Sequence, residues 1–122
     1  SGRRLVFKQA MAAIRSYETE LSRALLEMAG SVPGKRLYGP DDARHLEQRV
    51  PTFSFTIDGL PSAQVAERLA QAGFNVWDGN FYAVQVTERL GVENQGGLVR
   101  VGAVHYNTLD EISRLGETLR QL

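Results

Sequence analysis

The stretch over residues 96–108, Gly-Gly-Leu-Val-Arg-Val-Gly-Ala-Val-His-Tyr-Asn-Thr, constrains this chain more than any other. Successive side chains of a strand point to opposite faces. Val99, Val101 and Ala103 therefore share one face, and Leu98, Arg100, Gly102 and Val104 share the other. Arg100 is therefore the odd residue on its face. A guanidinium is costly to bury without an anion, and its planar fork suits a carboxylate held by two parallel hydrogen bonds. Gly102 leaves room beside it. Asn107 then turns the chain, and Thr108 with Glu111 has the spacing of a capping box ahead of an apolar helix. Two roles stand open for Arg100: an internal salt bridge to one of the fourteen acidic residues, or a clamp for a carboxylate ligand.

The elements before this strand are read from periodicity and punctuation. Residues 4–28 form one amphipathic helix, with Phe7, Met11, Ile14, Leu21, Leu25 and Met28 on one stripe, Tyr17 at its edge and Gly30 as the stop. Its length is out of proportion to the short elements after it, so it is expected to pack on the sheet for part of its length and on something else for the rest. Residues 31–34 are a turn and residues 35–38 a short edge strand. Residues 39–48 are a solvated loop in which His45 is a surface histidine. Residues 51–57 are a clear strand, with Phe53, Phe55 and Ile57 alternating with Thr52, Ser54 and Thr56. Ser62 is the expected N-cap of a helix bearing Val65 and Leu69, stopped by Gly73.

A third strand is expected over residues 74–77, followed by the turn Asp78-Gly79-Asn80. Trp77, Asn80, Phe81 and Tyr82 cluster there, where a rigid scaffold commonly presents binding residues. Trp77 and Phe81 serve either as packing residues or as part of such a site. Tyr82 is expected to open a helix to Leu90 with Val86 and Leu90 as its apolar positions. The last helix runs from Leu109, with Ile112, Leu115, Leu119 and Leu122 as its stripe. The fold class is α/β of the α+β type: a small, largely antiparallel sheet of three or four strands, helices packed on one face, and a long helix in front. Residues 1–30 are the long linking helix and residues 31–122 the small domain.

Composition narrows the function. Fourteen basic residues balance fourteen acidic ones, which leaves no electrostatic footprint for nucleic acid or an anionic membrane. No apolar run approaches the length of a membrane span. Cysteine is absent, which fits a cytoplasmic protein and excludes cysteine ligands and a cysteine nucleophile. His45 and His105 have no ligand-spaced partners, so no metal site is expected. There is no glycine-rich phosphate loop and no serine–histidine–acid spacing. Neither of the two lysines, Lys8 and Lys35, sits in an apolar pattern that would lower its pKa. The residues alone describe an anion clamp without a catalyst beside it.

Several motifs carry a resemblance that covers nearly the whole chain: Trp77-Asp78-Gly79-Asn80-Phe81-Tyr82-Ala83, Val99-Arg100-Val101-Gly102, Tyr106-Asn107-Thr108 with Glu111, and the Val32-Pro33-Gly34 turn after the long helix. With these the chain resembles the C-terminal small domain of class V pyridoxal-phosphate enzymes, the cysteine desulfurase and selenocysteine lyase group of fold type I. The resemblance implies that Arg100 grips the α-carboxylate of an amino-acid substrate, with Asn80 and Tyr82 as further substrate-binding residues. It also implies that pyridoxal 5'-phosphate belongs to the full-length parent, that the parent is a homodimer, and that this piece binds no cofactor and is not catalytically competent alone. The family's lysine, phosphate-binding residues and pyridine-nitrogen aspartate belong to an N-terminal cofactor domain outside these residues.

One departure stands out. The desulfurase loop carries a nucleophilic cysteine where this chain has Tyr82, and a phenol cannot replace a low-pKa thiolate in taking sulfur from cysteine. Lyase, transaminase and epimerase chemistries stay open for the parent. The alternative reading is a self-contained small-ligand-binding or dimerisation module, with Arg100 holding a small anion or a structural acid.

Overall fold

A computed structural model describes residues 2–122. The long helix α1, Gly2–Gly30, leads through a turn to β1, Lys35–Tyr38. A short 3₁₀ segment, Ala43–Gln48, precedes β2, Thr52–Ile57. Then come α2, Ser62–Gln71; β3, Trp77–Gly79; α3, Val84–Arg89; a second 3₁₀ turn, Glu93–Gln95; β4, Leu98–Gly102; and α4, Leu109–Leu119.

The strands form one antiparallel sheet in the order β1-β2-β4-β3. Register decides which residues meet. Phe53 pairs with Val101 and Phe55 with Val99, and Leu37 lies opposite Phe55, so these residues share the core face. On that face they join Leu21 and Leu25 of α1, Val65 and Leu69 of α2, and Ile112, Leu115 and Leu119 of α4 in one buried cluster. The aromatic and β-branched strand residues suit a half-buried pleated surface, and the helices supply the cover. The opposite face carries a row set by the same register: Tyr38, Ser54, Arg100 and Trp77 lie side by side across the four strands.

The long helix divides between two environments. Leu21, Ser22, Leu25 and Ala29 are buried near its end, whereas Leu5, Val6, Phe7 and Met11 are exposed near its start. Tyr17 marks the change. Its hydroxyl donates to the Asn107 carbonyl at 2.9 Å, fastening α1 to the turn that follows β4.

Five local expectations are corrected. The third strand is not residues 74–77 but Trp77–Gly79, because the Asp78-Gly79 pair continues the ladder opposite Val99 and Leu98 instead of turning. Tyr82 does not open α3, which starts at Val84; Phe81 and Tyr82 sit at φ +54° and +62°, outside helical geometry. Val86 and Leu90 are exposed, and the buried position of α3 is Thr87. Ser62 is not a cap. Pro61 is the N-cap, and the Ser62 hydroxyl donates instead to the Gly97 carbonyl at 2.9 Å. The 39–48 stretch holds a 3₁₀ segment that buries Leu46, with Asp42 capping it by accepting from the Arg44 backbone N–H. By contrast, the capping box of α4 is formed as the sequence indicates: Thr108 Oγ1 accepts from the Glu111 N–H, and Glu111 accepts from the Thr108 N–H at 2.8 Å.

Candidate functional site

The site grows from the middle of β4. Arg100 pairs in register with Ser54 on one side and Trp77 on the other, and all three lie on the face away from the helices. Among the described residues the close contacts between basic and acidic side chains are Arg44–Asp42, His45–Asp42 and His105–Glu18, and none of them involves Arg100. The internal salt bridge that the sequence left open is not formed among them. Arg100 instead lies with its guanidinium carbon 4.3 Å from the centre of the Phe81 ring, in the range of a cation–π contact. Beside it runs a groove lined by Thr52, Asn75, Val76, Trp77, Arg100 and Gly102. Gly102 leaves this groove open, since a Cβ there would meet only the Thr52 hydroxyl at 3.4 Å.

Phe81 reaches Arg100 through an unusual turn. Phe81 and Tyr82 are consecutive non-glycine residues in the left-handed region, which costs roughly 1–2 kcal/mol per residue for an L-amino acid. Asn80 holds this turn at both ends. Its side-chain oxygen accepts from the Tyr82 N–H at 3.1 Å, and its amide donates to Glu93 Oε1 at 3.1 Å. The second Glu93 oxygen accepts from the Thr87 hydroxyl. These bonds, first from Thr87 and then from Asn80, hold the Glu93 carboxyl below the usual carboxylate range. On the far side, a Cβ at Gly97 would collide with the Gly79 carbonyl, so the loop before β4 closes directly on the end of β3.

The three site residues expected from the sequence therefore hold different positions. Arg100 is exposed and unpaired by acids among the described residues. Asn80 is spent on the turn, with both ends of its side chain bonded. Tyr82 is fully exposed beside them. Sequence reasoning missed the Phe81–Arg100 stack and the Thr87–Glu93–Asn80 chain of hydrogen bonds. The only available signal was two bulky residues directly after Asp-Gly-Asn, and it carries no information about backbone handedness. Trp77 was visible as a member of the cluster. At 67% exposure it extends the row beside Arg100 rather than entering the core.

Chemically the site offers one planar cation, without an acidic partner among the described residues, held over an aromatic ring and beside an open groove. That geometry accepts a planar anion edge-on through two parallel hydrogen bonds. It offers no nucleophile–base pair. Lys35 lies on β1 opposite Ile57, two strands away, and Lys8 lies in the exposed part of α1. No group of three or more metal-ligating side chains gathers among the described residues, and none of the described helices is long and apolar enough to cross a membrane.

The profile of the family Aminotransferase class-V matches residues 3–115. This chain belongs to the class V aminotransferase family. It is 34% identical over 111 residues to the aminotransferase-like protein FGM3 of Gibberella zeae, an alignment that takes in 88% of this chain and 27% of the relative. It is 33% identical over 110 residues to a probable cysteine desulfurase of Synechocystis, covering 90% of this chain and 25% of that protein. Among solved structures, the apo cysteine desulfurase of Thermococcus onnurineus superposes with a TM-score of 0.82 at 25% identity, over 97% of this chain and 28% of the other. The chain thus spans about a quarter of the length of these relatives. The expected recognition and fold class hold: the mixed α/β architecture with a long first helix and a four-stranded antiparallel sheet is that of a cysteine desulfurase domain.

Proposed function

We propose that this chain is the substrate-side domain of a pyridoxal-phosphate-dependent enzyme of the class V family, and that Arg100 binds the α-carboxylate of an amino-acid substrate. The observation that supports this reading is the state of the guanidinium. It sits mid-strand on an open sheet face, no acid among the described residues pairs with it, and it lines a groove. Two charge-assisted hydrogen bonds to a carboxylate satisfy such a fork, and a point-charge lysine does not reproduce them. Tyr82, exposed in the same turn, shapes the approach to the guanidinium. Asn80 contributes on the substrate side through the turn that it holds.

The residues present do not fit the cofactor itself. Neither lysine lies beside Arg100: Lys35 is on β1, two strands away, and Lys8 is in the exposed part of α1. We therefore assign the cofactor, its lysine and the electron-sink chemistry that the cofactor supplies to a part of the protein outside these residues. The exposed start of α1 is assigned to contact with that part or with a second subunit of a homodimer. With tyrosine at the desulfurase cysteine position, the substrate is an amino acid whose reaction needs no thiolate from this loop. A cytoplasmic setting goes with this reading.

The test is made on the full-length protein. Arg100→Ala is expected to leave pyridoxal-phosphate loading, read from visible absorbance, at the wild-type level. Amino-acid affinity should fall by about 10- to 100-fold, the scale of one lost charge-assisted pair. Loss of cofactor loading with unchanged amino-acid affinity would contradict the role given to Arg100.

A further inference from the structure

We propose that Glu93 is a positioning residue of the Arg100 site: through Asn80 it holds the left-handed Phe81–Tyr82 turn that lays the Phe81 ring against the guanidinium. This inference rests on the reading of Arg100 as a carboxylate site and adds to it what fixes the arginine.

The physical reason begins with the free arginine. An arginine side chain loses much of its rotamer freedom when a ligand immobilises it, and that loss opposes binding. A ring stacked on one guanidinium face supplies part of the ordering before the ligand arrives. Phe81 is that ring, 4.3 Å away, and it reaches Arg100 from a turn with positive φ at residues 81 and 82. Such a turn does not persist unaided in two non-glycine residues. The bond from the Tyr82 N–H to Asn80 Oδ1 closes it. The bond from Asn80 Nδ2 to Glu93 Oε1 then fixes the rotamer of Asn80. Glu93 is in turn tied to Thr87, which is 1% exposed on α3. Glu93 thus links a buried anchor to the turn. No pattern in the sequence connects it with Arg100.

A glutamine at position 93 keeps this chain of bonds. Its oxygen still accepts from Asn80, and its amide donates to the Thr87 hydroxyl, which donates onward to the Val84 carbonyl at 2.9 Å. An alanine breaks it. The two variants therefore separate positioning from charge.

The experiment uses the full-length protein, ¹⁵N-labelled at arginine. The Arg100 Nε–H signal, assigned by its disappearance in Arg100→Lys, is followed during titration with acetate. In the wild type it is expected upfield of the other arginine Nε–H signals, because it lies against the face of Phe81. In Phe81→Leu and Glu93→Ala it should return to the position of the others, and acetate affinity should fall about two- to tenfold. Glu93→Gln should keep both the shift and the affinity. The upfield shift persisting in Glu93→Ala would overturn the positioning role. So would loss of the shift with unchanged acetate affinity, and so would Glu93→Gln behaving like Glu93→Ala. A wild-type signal that does not respond to acetate would instead overturn the carboxylate reading itself, and the proposal with it.

Discussion

At the residue scale, single polar atoms decide where loops stop. Ser62 is 2% exposed, and its hydroxyl bonds the Gly97 carbonyl 35 residues away, joining the start of α2 to the approach of β4. Ser62→Ala leaves that buried carbonyl without its partner, and a loss of about 1–2 kcal/mol is expected in urea unfolding. A change within a few tenths would contradict the structural role given to this bond. The sequence marked Ser62 as important, but for capping, because a serine after a Gly-x-Pro turn reads as an N-cap. It lacked the position of Gly97. Arg100 shows the converse case. Strand alternation set it apart as the odd residue on its face from the sequence alone, while its stacking partner Phe81 depended on a backbone conformation that bulky residues seldom adopt.

Elements were legible where a local rule suffices. The capping box of α4 follows from the Thr108–Glu111 spacing, and the strand β2 follows from strict alternation. Thr108→Ala removes the acceptor for the Glu111 N–H, with an expected cost of about 1 kcal/mol, or a drop in Tm of about 4 °C. The Glu111 carboxyl is held below its usual range, chiefly by the Thr108 backbone N–H and then by Asn107. Its folded pKa is depressed, so its stabilising contribution is complete above the unfolded value of about 4.3 and is lost as pH falls through the folded value. Glu111→Ala should therefore flatten the fall in stability on acidification below about pH 5. An unaltered acid limb in the variant would contradict this. The third strand and α3 were misplaced because their boundaries are tertiary. Gly79 stays in the sheet by pairing with Leu98, and α3 waits for the Phe81–Tyr82 turn to finish.

At the scale of the whole molecule, the long helix is the feature that a small sheet does not explain by itself. Its final turns complete the core, while Phe7 at 57% and Met11 at 63% exposure lie on a part that the sheet does not cover. Apolar positions clustered in this way mark an interaction surface. The chain alone is expected to self-associate in sedimentation with increasing concentration, and Phe7→Ser with Met11→Ser should reduce that association without altering the fold. A monomer at all concentrations, or association that the double variant leaves intact, would contradict the role given to this stripe. The helix could be foreseen from its apolar stripe. Its division into covered and uncovered halves could be foreseen only from its length, since both halves carry the same kind of residue.

The central claim is that Arg100 recognises a carboxylate. The most direct measurement compares the affinity of the full-length protein for L-alanine and for L-alaninamide, in the wild type and in Arg100→Lys. The account predicts that the wild type binds the carboxylate form more tightly, by about tenfold or more, and that Arg100→Lys loses most of that preference because an ammonium cannot form the fork. Equal affinity of the wild type for the acid and the amide would contradict it.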